Sequence, residues 1–156
     1  TGPQHAQIAA LAGITEYFNA LYGHHFGDAT GSLHERAAKV FELVSEHEAR
    51  LANILLDYLK EKPDIRLLGQ DHAEAGKRAS TIAFHARAMP STDIAQKLAE
   101  HHIGVGSGHF YALRCVEALG MDPEDGVVRV SMVHYNTAEE VQKLIVALDA
   151  ILAGEG

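Results

Sequence analysis

The sequence predicts an α/β (α+β) protein: a small, mostly antiparallel sheet with helices on one face, preceded by two long helices. Three observations lead there. Apolar residues recur at steps of three and four from Gln4 to Lys62, which is helical spacing. Beyond Lys62 short apolar runs alternate with polar, helix-forming stretches. The most apolar run, Val127 to Met132, passes at once into residues that start helices.

Each element has its own signal. Ile8, Leu11, Ile14, Phe18 and Leu21 form one stripe of a first helix, with Pro3 near its first turn and Gly23 at its end. The polar stretch GHHFGDATGS reads as a loop. Ser32 and Glu35 have capping-box spacing and open a second helix. Val40, Leu43, Val44, Leu51, Ile54, Leu55 and Tyr58 share its face, and Pro63 stops it. Ile65 to Leu68 reads as a short strand, Asp71 to Lys77 as a hairpin-like connection and Ala79 to Ala86 as a longer strand. Ser91 or Thr92 starts a helix that runs to about His101. Ile103-Gly-Val reads as a short strand, Phe110 to Leu119 as a short helix, and Asp122-Pro-Glu-Asp-Gly as a turn. Asn136 or Thr137 caps the last helix, whose first turn carries Glu139 and Glu140, where the helix dipole favours negative charge. The order after Lys62 is β, β, α, β, short α, β, α, which gives a sandwich of ferredoxin-like character with the second helix packed on it.

Composition narrows the function. The chain has 156 residues, enough for a domain that buries roughly 70 % of its unfolded surface. A net charge of -8 argues against nucleic-acid binding, which needs a surplus of Lys and Arg. No apolar run is long enough to span a bilayer and no signal peptide opens the chain, so cytoplasm is the expected location. The one cysteine, Cys115, cannot form an internal disulfide, fits a reducing compartment, and reads as a small core residue of the short helix. Thr1-Gly-Pro-Gln lacks a Met, which predicts numbering that begins inside a larger protein or an upstream piece removed.

Candidate chemistry is sparse. His24-His25 and His101-His102 are adjacent pairs whose rings point apart in a regular element. Neither His-Glu-x-x-His nor Glu-x-x-His occurs, so no metal site is expected. Ile103-Gly-Val-Gly-Ser-Gly-His is either a tight turn or a loop that admits a ligand. Its G-x-G-x-G spacing is not the dinucleotide fingerprint. No Gly-x-Ser-x-Gly nucleophile occurs. Arg129 interrupts the most apolar strand: it lies on a solvated face, which composition favours, or its fork binds a carboxylate in a cleft.

Several pieces together resemble one family. These are Arg78-Ala-Ser-Thr-Ile-Ala-Phe, Asp93-Ile-Ala-Gln-Lys-Leu followed by Ile103-Gly-Val, and above all VVRVSMVHYNTAEE from Val127 to Glu140. They are similar, in order and spacing, to the C-terminal small domain of class V aminotransferases of the cysteine-desulfurase-like group, fold-type I enzymes that use pyridoxal phosphate (PLP). The resemblance implies that residues 1–30 are the connecting helix from a large PLP domain and 31–156 the small domain. It implies a homodimeric parent acting on an amino acid, with no nucleic-acid or membrane partner. Arg129 aligns with the arginine that binds the substrate carboxylate, which reverses the preference from composition. Thr1 aligns with a threonine whose hydroxyl reaches the PLP phosphate across a dimer interface, although Gly2 separates it from Pro3. The loop Gly106 to Ala112, with Ser107, His109 and Tyr111, aligns with the loop that closes on the substrate.

Two departures matter. Where the desulfurase pattern has Arg-x-Gly-His-His-Cys-Ala, this chain has Gly106-Ser-Gly-His-Phe-Tyr-Ala112. Tyr111 therefore replaces the sulfur-accepting cysteine, and a phenol of pKa about 10 cannot take a persulfide. Cys115 lies four residues further on, in the expected short helix. Transamination, β-elimination or epimerisation fits better than desulfuration. The family's Schiff-base lysine, in a Ser/Asp-x-His-Lys context, is also missing, so the expected function is that of a fragment, inactive alone. The alternative is a free-standing ferredoxin-like ligand-binding or regulatory module that dimerises through its helices.

Overall fold

A computed structural model describes residues 2–27 and 30–154. The chain divides into two compact units, Thr1–Ser45 and Glu46–Gly156.

The first unit pairs α1 (His5–Phe26) with the start of α2 (Leu33–Lys60). Helix α1 runs through Gly23 and ends at Gly27, whose φ of 83° suits glycine. The Ser32–Glu35 capping box forms as expected: Glu35 Oε2 accepts from Ser32 N at 2.7 Å, and Glu35 N donates to Ser32 Oγ at 3.3 Å. Phe18 packs on Phe41 with ring centroids 5.0 Å apart, and Arg36 donates to Asn19 Oδ1. The apolar stripe of α1 is not buried along its length. Ile8, Leu11 and Ile14 remain 56 %, 59 % and 54 % exposed, and Tyr22 is the buried residue of the helix. Helical spacing marks which residues share a face; it does not supply the surface that covers them.

The second unit holds the sheet. Its elements are the rest of α2, β1 (Ile65–Leu68), β2 (Thr81–Ala86), α3 (Ser91–Glu100), β3 (Gly106–Gly108), α4 (Leu113–Ala118), β4 (Val127–Ser131) and α5 (Ala138–Leu152). The element order is the one the sequence predicts. The strands lie in the order β1-β2-β4-β3, with every pair antiparallel. Alternation assigns the faces. Ile82, Phe84, Val128 and Val130 point into the main core, where they meet Leu51, Leu55, Leu56 and Leu59 of α2, Ile94 and Leu98 of α3, and Leu144, Leu148 and Ile151 of α5. Ala83 and Arg129, paired in register, point to the other face.

Three local expectations change. Ile103 and Val105 pack against the main core, yet the strand forms three residues later, because only Gly106–Gly108 lie opposite Val127–Arg129 of β4. The chain first turns out of α3 through His102, which takes a left-handed φ of 59°. Not all helices share one face: Val116 of α4 joins a smaller cluster with Met121, Val127, Ala83 and Phe110, on the face opposite the main core. Cys115 is exposed rather than a core residue. Helix α4 has only six residues and buries Val116 alone, so the longer amphipathic stripe that would cover Cys115 does not exist.

Side chains and caps tie the loops down. Arg78 donates to the carbonyls of Gln70 and Thr81 and closes the β1–β2 connection. Asp125 accepts from the Ser91 backbone N at 2.6 Å, which caps the start of α3, and its other oxygen lies 3.0 Å from His85 Nε2. The turn before β4 is thereby fixed to both β2 and α3. Thr137 caps α5 in a full capping box with Glu140. The backbone hydrogen bond from Thr137, then the side-chain bond from Asn136, hold the Glu140 carboxyl below its ordinary pKa.

Candidate active-site face

The sheet face opposite the main core gathers most of the residues of interest. Arg129 sits mid-strand in β4, between Ala83 of β2 and Gly106 of β3. Both neighbours are small, so the long side chain has room to stand off the sheet. It is exposed. Its guanidinium carbon lies 3.9 Å from the centroid of the Phe110 ring, a cation–π stack. Among the described residues, no hydrogen bond or ion pair engages its N–H groups.

The loop after β3 is shaped by backbone conformation. Phe110 and Tyr111 are consecutive non-glycine residues with φ of 48° and 62°, each costing about 1–3 kcal/mol unless the surroundings hold it. The Phe110 ring is anchored in the small cluster with Val116, Met121 and Val127. Tyr111 N donates to His109 Nδ1 at 3.1 Å, and Ala112 N donates to the His109 carbonyl at 2.7 Å. Tyr111 itself points fully outward, at 103 % exposure. Gly108 and Gly126 meet backbone to backbone: a Cβ on Gly126 would fall 2.2 Å from the Gly108 carbonyl carbon. Gly126 also has φ of 67°, so glycine is required there for two reasons.

Arg129, His109 and Tyr111 thus belong to one strand and the loop beside it. Ser107 lies elsewhere: it pairs with Val128, whose side chain enters the main core, so its side chain leaves the sheet on the face opposite Arg129. Thr1 lies outside the described residues. Sequence reasoning placed Phe110 in the glycine loop and at the start of the short helix and missed its stack on Arg129, which depends on the β3–β4 register. The 3.0 Å pairing of His85 with Asp125 was also missed. An open groove of about 940 Å³ along α5 and His101–Val105 does not include Arg129.

Among the described residues, no group of three or more His, Cys, Asp or Glu side chains is placed to hold a metal ion. No helix among them is long and apolar enough to cross a membrane. A PLP site does not fit this chain by itself. Of its lysines, Lys60, Lys62 and Lys77 are ion-paired with Asp57, Asp149 and Glu74. Lys39 lies over the Tyr22 and Phe26 rings. Lys97 and Lys143 stand on α3 and α5, which pack against the other face of the sheet. A Schiff-base lysine must instead stand in a cleft beside the substrate.

Residues 32–144 match the family described as aminotransferase class-V. The chain belongs to the class-V aminotransferase family. Curated relatives include the aminotransferase-like protein FGM3 of Gibberella zeae, 38 % identical over 76 % of this chain and 30 % of that protein. The cysteine desulfurase-like protein ustD of Aspergillus flavus is 33 % identical over 72 % of this chain and 26 % of that protein. Among solved structures, the cysteine desulfurase of Thermococcus onnurineus superposes with a TM-score of 0.66 and 25 % identity, over 78 % of this chain and 29 % of that one. The α/β fold of this family is the one the sequence predicts. The chain spans less than a third of the length of each of these relatives.

Proposed function

We propose that this chain is the small, C-terminal domain of a PLP-dependent enzyme of the class-V family that acts on an amino acid, and that Arg129 binds the substrate's α-carboxylate. The observation that carries the proposal is the state of Arg129. A cation set among the valines of β4 presents unengaged N–H donors on the sheet face that turns away from the main core. A carboxylate fits that fork through two parallel hydrogen bonds.

The rest of the proposal follows the family. Residues 1–30 connect to a large domain that holds PLP, Thr1 lies toward the cofactor phosphate of a partner subunit, and the loop Gly106 to Ala112 covers the substrate. The parent is a cytoplasmic homodimer. The exposed stripe Ile8, Leu11, Ile14 on α1 supports a covering surface outside this chain. With Tyr111 in the position of the desulfurase cysteine, the reaction is an amino-acid transformation other than persulfide formation.

The coding sequence upstream of the Thr1 codon tests this reading. We expect an open frame that encodes a lysine in a Ser/Asp-x-His-Lys context. An initiator codon directly before Thr1 would contradict it and leave a free-standing ligand-binding or regulatory module.

A further inference from the structure

We propose that Phe110 is a positioning residue for the Arg129 fork, and that Gly106 is present to admit its ring. The inference rests on the reading of Arg129 as the carboxylate ligand and adds what holds that ligand in place.

Gly106 and Arg129 are register partners on neighbouring strands, so a Cβ on Gly106 would project on the same face as the Arg129 side chain. That space is filled by phenylalanine. A Cβ at Gly106 would lie 2.8 Å from Phe110 Cζ and 2.9 Å from Cε1. The same ring has its centroid 3.9 Å from the Arg129 guanidinium carbon. Gly106, the ring and the guanidinium therefore form one contact set, in which any side chain on Gly106 displaces the ring. The loop is built to present the ring: the left-handed Phe110 and Tyr111 turn one aromatic inward and the next fully outward. Phe110 is further fixed by its packing with Val116, Met121 and Val127.

The chemistry of the stack suits a carboxylate fork. A ring over the face of a guanidinium takes none of its in-plane N–H donors. It removes rotamers in which the long side chain lies elsewhere, so less freedom is lost when the carboxylate binds. A leucine at this position would not provide the same flat, quadrupolar surface.

The test uses the intact PLP-loaded enzyme and two probes, L-alanine and ethylamine, whose binding is read from the cofactor's absorbance. Ethylamine lacks the carboxylate. We expect Phe110→Leu, which keeps an apolar side chain in the small cluster, to weaken L-alanine binding by about three- to fivefold and to leave ethylamine unchanged. Gly106→Ala should reproduce the Phe110→Leu effect and add little to it in the double variant, because both act through the same ring. In the chain itself, Arg129 Hε should resonate upfield of the other arginines by ring current and lose that shift in Phe110→Leu. Unchanged L-alanine binding in Phe110→Leu, equal loss for both probes, or no ring-current shift would overturn the inference. If Arg129→Lys also leaves L-alanine binding unchanged, the failure belongs to the carboxylate reading itself; if Arg129→Lys weakens it and Phe110→Leu does not, only the positioning role fails.

Discussion

Arg129→Ala in the intact enzyme should weaken binding of an L-amino-acid substrate by about 1.5–3 kcal/mol, the cost of losing a hydrogen-bonded pair with a charged group. That is roughly ten- to a hundredfold in affinity. The loss should appear mainly in KM if the carboxylate is held equally in ground and transition states, and in kcat as well if the arginine also orients the reacting bonds. Arg129→Lys keeps the charge but not the planar fork, so it should recover only part of the affinity. Folding should be little affected, because the side chain is exposed and no described residue is paired with its N–H groups. Kinetics on the purified variants check this. Unchanged KM and kcat would return Arg129 to the solvated-face reading.

The second large effect concerns the scaffold that positions Arg129. Phe84→Ala should destabilise the chain by about 3–5 kcal/mol, the usual range for emptying a phenylalanine site in a packed core. Phe84 is 0 % exposed and lies on β2 opposite Val128, with the side chains of α2, α3 and α5 against the same face. Removing the ring leaves a void at the centre of the sheet, on the strand next to β4. Urea unfolding of the two proteins, compared at equal m-value, measures the loss. A change below about 1 kcal/mol would mean that the core collapses around the site or that the sheet does not pack as described.

Local chemistry was the readable part of this sequence. The Ser32–Glu35 capping box forms as read, and of the two candidate caps for the last helix, Asn136 and Thr137, it is Thr137 that caps it, in a box with Glu140. Strands β2 and β4 were legible because one face of each is buried and the other is not, which imposes alternation on the sequence. Their neighbours were harder. Strand β3 is three residues of Gly-Ser-Gly, carries no apolar pattern, and exists because β4 offers it an edge. Helix α4 looked longer because Phe110 and Leu119 extend its apolar spacing, yet Phe110 is held left-handed by its packing in the small cluster and lies outside the helix.

The candidate site divides in the same way. Arg129 was visible as a charge inside an apolar run, a contradiction within one segment that invites explanation. The stack of Phe110 on Arg129 was not visible, because it joins residues nineteen positions apart through strand pairing and the absence of a Cβ at Gly106. The placement of Ser107 opposite Arg129 likewise follows from register, since a shift of one residue exchanges the two faces. The apolar spacing on α1 was legible as a helix, and the exposure of Ile8, Leu11 and Ile14 became evident only in three dimensions.

The central claim is that this chain supplies the substrate-carboxylate ligand while the covalent cofactor site lies elsewhere in the same enzyme. Borohydride reduction of the intact PLP-loaded enzyme, followed by mass mapping of the labelled peptide, tests it most directly, because reduction fixes the cofactor to its lysine. The account predicts the label on a lysine upstream of Thr1. A label on Lys39, Lys60, Lys62, Lys77, Lys97 or Lys143 would contradict it.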